Sequence, residues 1–159
     1  MQLSGSCHCK AVQFTIASRT PYPFMRCYCS ICRKTDGGGG YAINIMGQAG
    51  SLNVQGEENL TIYRATRPNG ELSEARRHFC KLCGSALWLA DPRWDKWVWP
   101  FASAIDTPLP KAPEHVNIML DFAEPWADRF AGTEQADFPE YPVESIEVWH
   151  KARGLYEES

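Results

Sequence analysis

Cys27-Tyr28-Cys29-Ser30-Ile31-Cys32-Arg33-Lys34 carries three thiols in six residues and runs almost directly into the glycine run Gly37 to Gly40. Two further thiol pairs stand apart, Cys7-His8-Cys9 near the start and Cys80-Lys81-Leu82-Cys83 at the middle. The seven cysteines fall into groups of two, three and two. An odd, clustered set fits a fully paired disulfide framework poorly and a set of metal ligands well. Zinc takes thiolates at about 2.3 Å in a tetrahedron, and Cys-x-x-Cys or Cys-x-Cys turns bring two sulfurs to one ion.

Working outward, Cys7, Cys9, Cys80 and Cys83 together supply four thiolates. Four sulfurs close a zinc shell, so such a site is structural. It would tie the N-terminal strand to a stretch more than seventy residues later. Cys27, Cys29 and Cys32 are one ligand short of four. Three protein ligands plus an exchangeable fourth is the pattern of a catalytic zinc. A thiol bound there is deprotonated, although a free thiol titrates at about 8.5. The site would therefore produce a thiolate nucleophile, or polarise a carbonyl as a Lewis acid. Spacing leaves other partitions open. His8, His78 or Asp36 could complete the triplet and make both ions structural. Cys80 and Cys83 also have the spacing of a redox pair.

A chain of 159 residues is read as one domain. Its 44% hydrophobic and 22% charged content is ordinary for a protein with a packed core. The net charge of −3 lacks the basic excess of a nucleic-acid binder. Met1 to Ser6 lacks the basic start and apolar run of a signal peptide. No stretch approaches the roughly 18 apolar residues of a membrane span. The expected location is the cytoplasm, where thiols stay reduced, with no nucleic-acid or membrane partner.

Ala11 to Ile16 alternates Val12, Phe14 and Ile16 against Ala11, Gln13 and Thr15, the period of a half-buried strand. Tyr41–Met46, Leu60–Arg64, Ala86–Leu89, Trp97–Trp99 and Val116–Leu120 are further strand candidates. The cysteine triplet is expected on a knuckle-like loop. Pro68-Asn69-Gly70 marks a hairpin or loop, and Ala123 to Phe130 a helical turn or edge segment. Val143, Ile146, Val148 and Trp149 fall near helical spacing and predict a short C-terminal helix over Val143 to Tyr156. The pattern is mainly β, with short strands and metal-stapled loops.

The three cysteine motifs resemble the glutathione-dependent formaldehyde-activating enzyme family, also called the GFA or CENP-V/GFA domain family. The matching pieces are Gly5-Ser6-Cys7-His8-Cys9-Lys10-Ala11-Val12-Gln13-Phe14, Cys27-Tyr28-Cys29-Ser30-Ile31-Cys32-Arg33-Lys34 and Phe79-Cys80-Lys81-Leu82-Cys83-Gly84-Ser85. Weaker echoes follow in Ala104–Pro108, Pro113–Val116 and Pro125-Trp126, so the likeness covers most of residues 4–130. It implies an Mss4-like or β-tent arrangement of short antiparallel strands stapled by two zinc ions per chain. It implies that residues 1–159 form a single domain, with a core over 4–130 and a C-terminal extension over 131–159. Cys7, Cys9, Cys80 and Cys83 match the family's structural zinc ligands, and Cys27, Cys29 and Cys32 its catalytic ones. The implied activity is that of a carbon–sulfur lyase, forming or cleaving S-hydroxymethylglutathione or a related thiol–aldehyde adduct. Glutathione would be co-substrate and the partners a small thiol and an aldehyde; a homo-oligomer is compatible with the likeness. The alternative is a non-catalytic, zinc-stapled interaction module.

Arg33 and Lys34 are candidates to hold a glutathione carboxylate, since arginine grips carboxylates in bidentate fashion. Equally, they form a solvated basic pair that offsets the thiolates. His8 and His78 are expected to pack or face solvent, and His115 to cap or hydrogen-bond in a turn. The glycine run either admits a ligand or forms a plain turn. Trp88, Trp94, Trp97 and Trp99 either line a pocket or fill the core. Arg64, Arg67, Arg76 and Arg77 are expected on a solvated hairpin face.

Overall fold

Alternation places the first buried face. Phe14 and Ile16 point inward from the N-terminal hairpin, while Gln13 and Thr15 are exposed. The computed structural model describes residues 1–36, 38–128 and 135–158. In chain order its first strands are β1 (Gln2–Ser6), β2 (Gln13–Ala17), β3 (Met25–Cys27), β4 (Ala42–Ile43), β5 (Gly47–Gln48) and β6 (Asn53–Gln55). They continue as β7 (Leu60–Tyr63), β8 (Arg76–Cys80), β9 (Ala86–Ala90), β10 (Trp97–Pro100), β11 (His115–Ile118) and β12 (Gln135–Asp137). The two α-helices are α1 (Ser30–Thr35) and α2 (Ile146–Ala152). The protein is mainly β, with one short C-terminal helix, as the sequence predicts.

The strands form three sheets, ordered β1-β2-β6, β5-β10-β9-β8-β7 and β12-β11-β3-β4. The five-stranded sheet is a wall between two apolar cores. Cross-strand neighbours share a face and successive residues alternate. Val98 opposite Ala90 faces the first core, with Leu3, Phe14, Ile16, Leu87 and Trp88. Leu89, one residue along, faces the second, with Phe24, Phe101, Val116, Ile118 and Trp149. Cys7 and Cys80 belong to the first core, Cys27 and Cys32 to the second.

The third sheet departs from the antiparallel expectation. β11 pairs in parallel with both β3 and β12. Parallel neighbours need a long crossover, and the whole five-stranded sheet lies in the chain between β3 and β11. Tyr41–Met46 forms a strand only at Ala42–Ile43; Asn44 and Met46 make single bridges to Phe101 and Thr20. Six of the described strands lie outside the candidates: β1, β3, β5, β6, β8 and β12. Ala123–Phe130 begins just past a 3₁₀ turn at Leu120–Phe122, and its last two residues lie outside the described ones.

Ala136, Phe138, Ile146, Trp149 and Leu155 join the second core. β12 extends the third sheet, and Trp149 of α2 stacks on Phe24 with ring centroids 3.8 Å apart. Ser145 caps α2 by accepting the Val148 N–H at 3.2 Å, a favoured N-cap arrangement. Arg153 lies over the Trp149 ring and pairs with Glu114, while Glu157 pairs with the Met1 amino group.

His150 is fully buried beneath this helix. Its Nδ1 donates to the Ile146 carbonyl at 2.8 Å, and its Nε2 accepts the Tyr22 N–H at 3.4 Å. A second ring proton has no acceptor there. Burial pushes the His150 pKa down, with Arg153 adding to it, and burial lowers His78 and His115 as well. With folded pKa values below the unfolded value of about 6.5, the unfolded chain binds more protons on acidification. Stability is therefore complete above that value and falls as pH drops through it. The melting temperature is expected to decline by several degrees from pH 7 to pH 5, and His150→Asn to flatten that slope. An unchanged slope in the variant would place the titration elsewhere.

Candidate metal centres

Two tight turns build the first cysteine group. In the β1–β2 turn, Cys7 N–H donates to the Val12 carbonyl at 3.0 Å and Lys10 N–H to the Cys7 carbonyl at 2.9 Å. Lys10 takes the left-handed conformation there, with φ 62°. In the β8–β9 turn, Gly84 N–H donates to the Cys80 carbonyl at 2.8 Å with φ 75°, which suits glycine. The His8 N–H donates to the Ser85 hydroxyl at 3.0 Å and bridges the two turns.

The four ligand atoms of Cys7, Cys9, Cys80 and Cys83 all lie within 4.8 Å of one another. Cys7 and Cys9 Sγ are 3.5 Å apart, Cys9 and Cys80 Sγ 3.8 Å. A sulfur tetrahedron around zinc at about 2.3 Å has edges of about 3.8 Å, so the donor set fits that ion. The Ser85 hydroxyl, 3.2 Å from the Cys83 sulfur, holds the Cys83 pKa down at about 5. Cys80 and Cys83 are thiols rather than a disulfide.

The second group is held differently. Cys27 ends β3, Cys29 is the N-cap of α1, and Cys32 lies in its first turn. The expected knuckle is thus the start of a helix. Cys29 Sγ accepts the Cys32 N–H at 3.3 Å. The three sulfurs lie within 4.8 Å of one another. Cys27 and Cys32 both donate to Cys29, so the Cys29 pKa is driven far down and that of Cys27 far up. Three packed thiols therefore share their charge unevenly; a cation among them would replace the bridging protons.

Among the described residues, no histidine or carboxylate joins this triplet. His8 is exposed. His78 stacks on Trp88 with centroids 5.0 Å apart, towards the first core. Asp36 accepts the Ser103 hydroxyl at 2.8 Å, and burial raises its pKa. His115 is a residue of β11 rather than a turn cap.

Arg33 pairs with Glu124 at 2.7 Å, whereas Lys34 is exposed. Of the glycine run, Gly37 lies outside the described residues and Gly38 and Gly39 are exposed. A Cβ on Gly40 would stand 2.6 Å from that of Ala127, so its close approach is to protein. Trp88 is a core residue, Trp97 and Trp99 are half-buried, and Trp94 is exposed. Two surface hollows of about 200 and 270 Å³ contain no cysteine in their linings.

Sequence reading missed two residues. Arg77, expected on a solvated face, is buried at 5% exposure, and its positive charge acts on Cys32. Tyr141 is 75% exposed, yet partial desolvation and then the charge of Cys27, Cys29 and Cys32 raise its pKa. Both effects place these side chains within electrostatic range of the triplet. No motif marks either residue.

The family model for glutathione-dependent formaldehyde-activating enzyme matches residues 2–119. A Halomonas elongata protein is 54% identical over 157 residues, 99% of each chain. Its name places it, provisionally, among glutathione-dependent formaldehyde-activating enzymes. A crystal structure described as a Rhodobacter sphaeroides protein is 27% identical. It covers 67% of this chain and 91% of its own, with a TM-score of 0.53. Among the described residues no helix is long and apolar enough to cross a membrane.

Proposed function

Since the chain belongs to the glutathione-dependent formaldehyde-activating enzyme family, we propose that it is a zinc-dependent carbon–sulfur lyase that forms and cleaves S-hydroxymethylglutathione. The observation that carries this reading is the asymmetry of the two centres. One has four sulfurs in mutual reach, the other three, with no further histidine or carboxylate ligand among the described residues.

Cys7, Cys9, Cys80 and Cys83 would hold one zinc as a staple, and Cys27, Cys29 and Cys32 a second. Zinc at the triplet would supply Lewis acidity and a place for a fourth sulfur. In the forward reaction the glutathione thiol gives up its proton and its sulfur attacks the formaldehyde carbon. A C–S bond forms, the C=O π pair moves to oxygen, and oxygen takes a proton. The reverse breaks the C–S bond and returns aldehyde and thiol. The chain's part is to hold the sulfurs rigidly: the Cys32 N–H orients Cys29, and the second core encloses Cys27 and Cys32. Lys34, exposed one turn along α1, is a cation that would meet a glutathione carboxylate at the rim; Arg33 is paired with Glu124.

The test is NMR exchange between isotope-labelled formaldehyde and glutathione, with and without zinc-loaded protein. The expected result is faster exchange into S-hydroxymethylglutathione and two zinc ions per chain by elemental analysis. Exchange no faster than in buffer would overturn the assignment.

A further inference from the structure

We propose that Arg77 is the buried anchor for a carboxylate of the thiol substrate at the three-cysteine centre; this rests on the function proposed above. Three observations converge on it. Register is the first. Arg77 in β8 lies opposite Leu89 in β9, whereas the next residue, His78, lies opposite Trp88. Trp88 belongs to the first core and Leu89 packs on the second. Alternation therefore turns Arg77 towards the core that holds Cys27 and Cys32, away from Cys80.

Burial without partners is the second. Arg77 is 5% exposed, and its Nε and Nη1 are sealed from solvent with no hydrogen-bond acceptor. Orphaned buried donors on a charged group are costly, and native structures keep few of them. Arg77 lies close enough to Cys32 for its positive charge to favour a thiolate there, but that leaves those N–H donors unused.

The third is the state of the competing cation. Arg33, the arginine adjacent to the triplet in sequence, is already tied to Glu124 at 2.7 Å.

The unused donors point to a carboxylate. The guanidinium fork presents parallel N–H groups that match two carboxylate oxygens. A single alkoxide oxygen, such as the one developing on the aldehyde, would engage the fork less completely. A thiol substrate with its sulfur at the triplet and a carboxylate a few bonds away fits this pairing. The substrate class is thus a carboxylate-bearing thiol.

The experiment uses full-length, zinc-loaded protein and the variants Arg77→Lys and Arg77→Met. Calorimetric titration with S-methylglutathione, which keeps both carboxylates but has no free thiol, reads binding without turnover. Exchange rates with glutathione and with 2-mercaptoethanol read the selectivity. Lost charge-assisted hydrogen bonds should weaken S-methylglutathione about ten- to a hundredfold. They should raise KM for glutathione similarly and cost the reaction with 2-mercaptoethanol, which carries no carboxylate, far less. Arg77→Lys keeps the charge without the fork and should fall between wild type and Arg77→Met. Equal losses with both thiols, or S-methylglutathione binding unchanged in a folded Arg77→Lys protein, would overturn the anchor while leaving the lyase reading intact. Wild type that binds neither S-methylglutathione nor glutathione would overturn both.

Discussion

Cys80→Ser is expected to abolish the native fold at 25 °C or to lower the melting temperature by roughly 10–20 °C, if a loss of about 5 kcal/mol is taken at 2–4 °C per kcal/mol. Cys80 is fully buried beside Leu87 and Trp88, and its sulfur lies 3.8 Å from that of Cys9. Serine would place a hydroxyl in that apolar setting and remove one of four sulfurs from the ion. Structural zinc sites in small peptides contribute about 10–16 kcal/mol of apparent free energy, as much as the whole net stability of a typical domain, about 5–15 kcal/mol. The staple also joins the β1–β2 turn to the β8–β9 turn, which the His8–Ser85 hydrogen bond links as well. Cys83→Ser, at an exposed position, should release zinc with a smaller loss of stability. Circular dichroism melts with elemental analysis would check both. A Cys80→Ser protein that melts within a few degrees of wild type would show that the fold does not lean on this centre.

The cysteine grouping was legible because it is local. Cys-x-Cys and Cys-x-x-Cys report turns, and turns are encoded within a few residues. β2 was legible for the same reason, since Phe14 and Ile16 alternate with polar neighbours. β1 was not, because one of its inward positions is Gly5, which carries no apolar side chain. A Cβ there would lie 2.3 Å from the Phe14 ring, so glycine serves close packing that no pattern announces. β8 reads Arg-Arg-His-Phe-Cys, too polar to suggest a strand with two occupied faces. That is why Arg77 was placed in solvent: its burial follows from pairing with Leu89, a contact between distant stretches of chain. α1 is six residues long, too short for helical periodicity to show, and its N-cap is a cysteine. The parallel pairing of β3 with β11 likewise rests on tertiary contact alone. Local chemistry was therefore readable, and the packing that surrounds it was not.

Cys29→Ser is expected to remove activity by more than about a hundredfold, since changes merely around a metal ligand already cost ten- to a hundredfold, while the fold stays largely intact. The asymmetry with Cys80 comes from position. Cys29 is half-buried and caps α1 through its bond to the Cys32 N–H. Serine is among the best N-cap residues, so its hydroxyl can take over that bond. The local backbone keeps its cap and the second core keeps its apolar residues. What disappears is the sulfur on which Cys27 and Cys32 converge. Bound zinc should fall from two ions per chain to one, with the melting temperature within a few degrees of wild type. This outcome separates an enzyme from a zinc-stapled interaction module, which would have no activity to lose. Full exchange activity in a variant that has lost its second zinc would move the chemistry away from the triplet altogether.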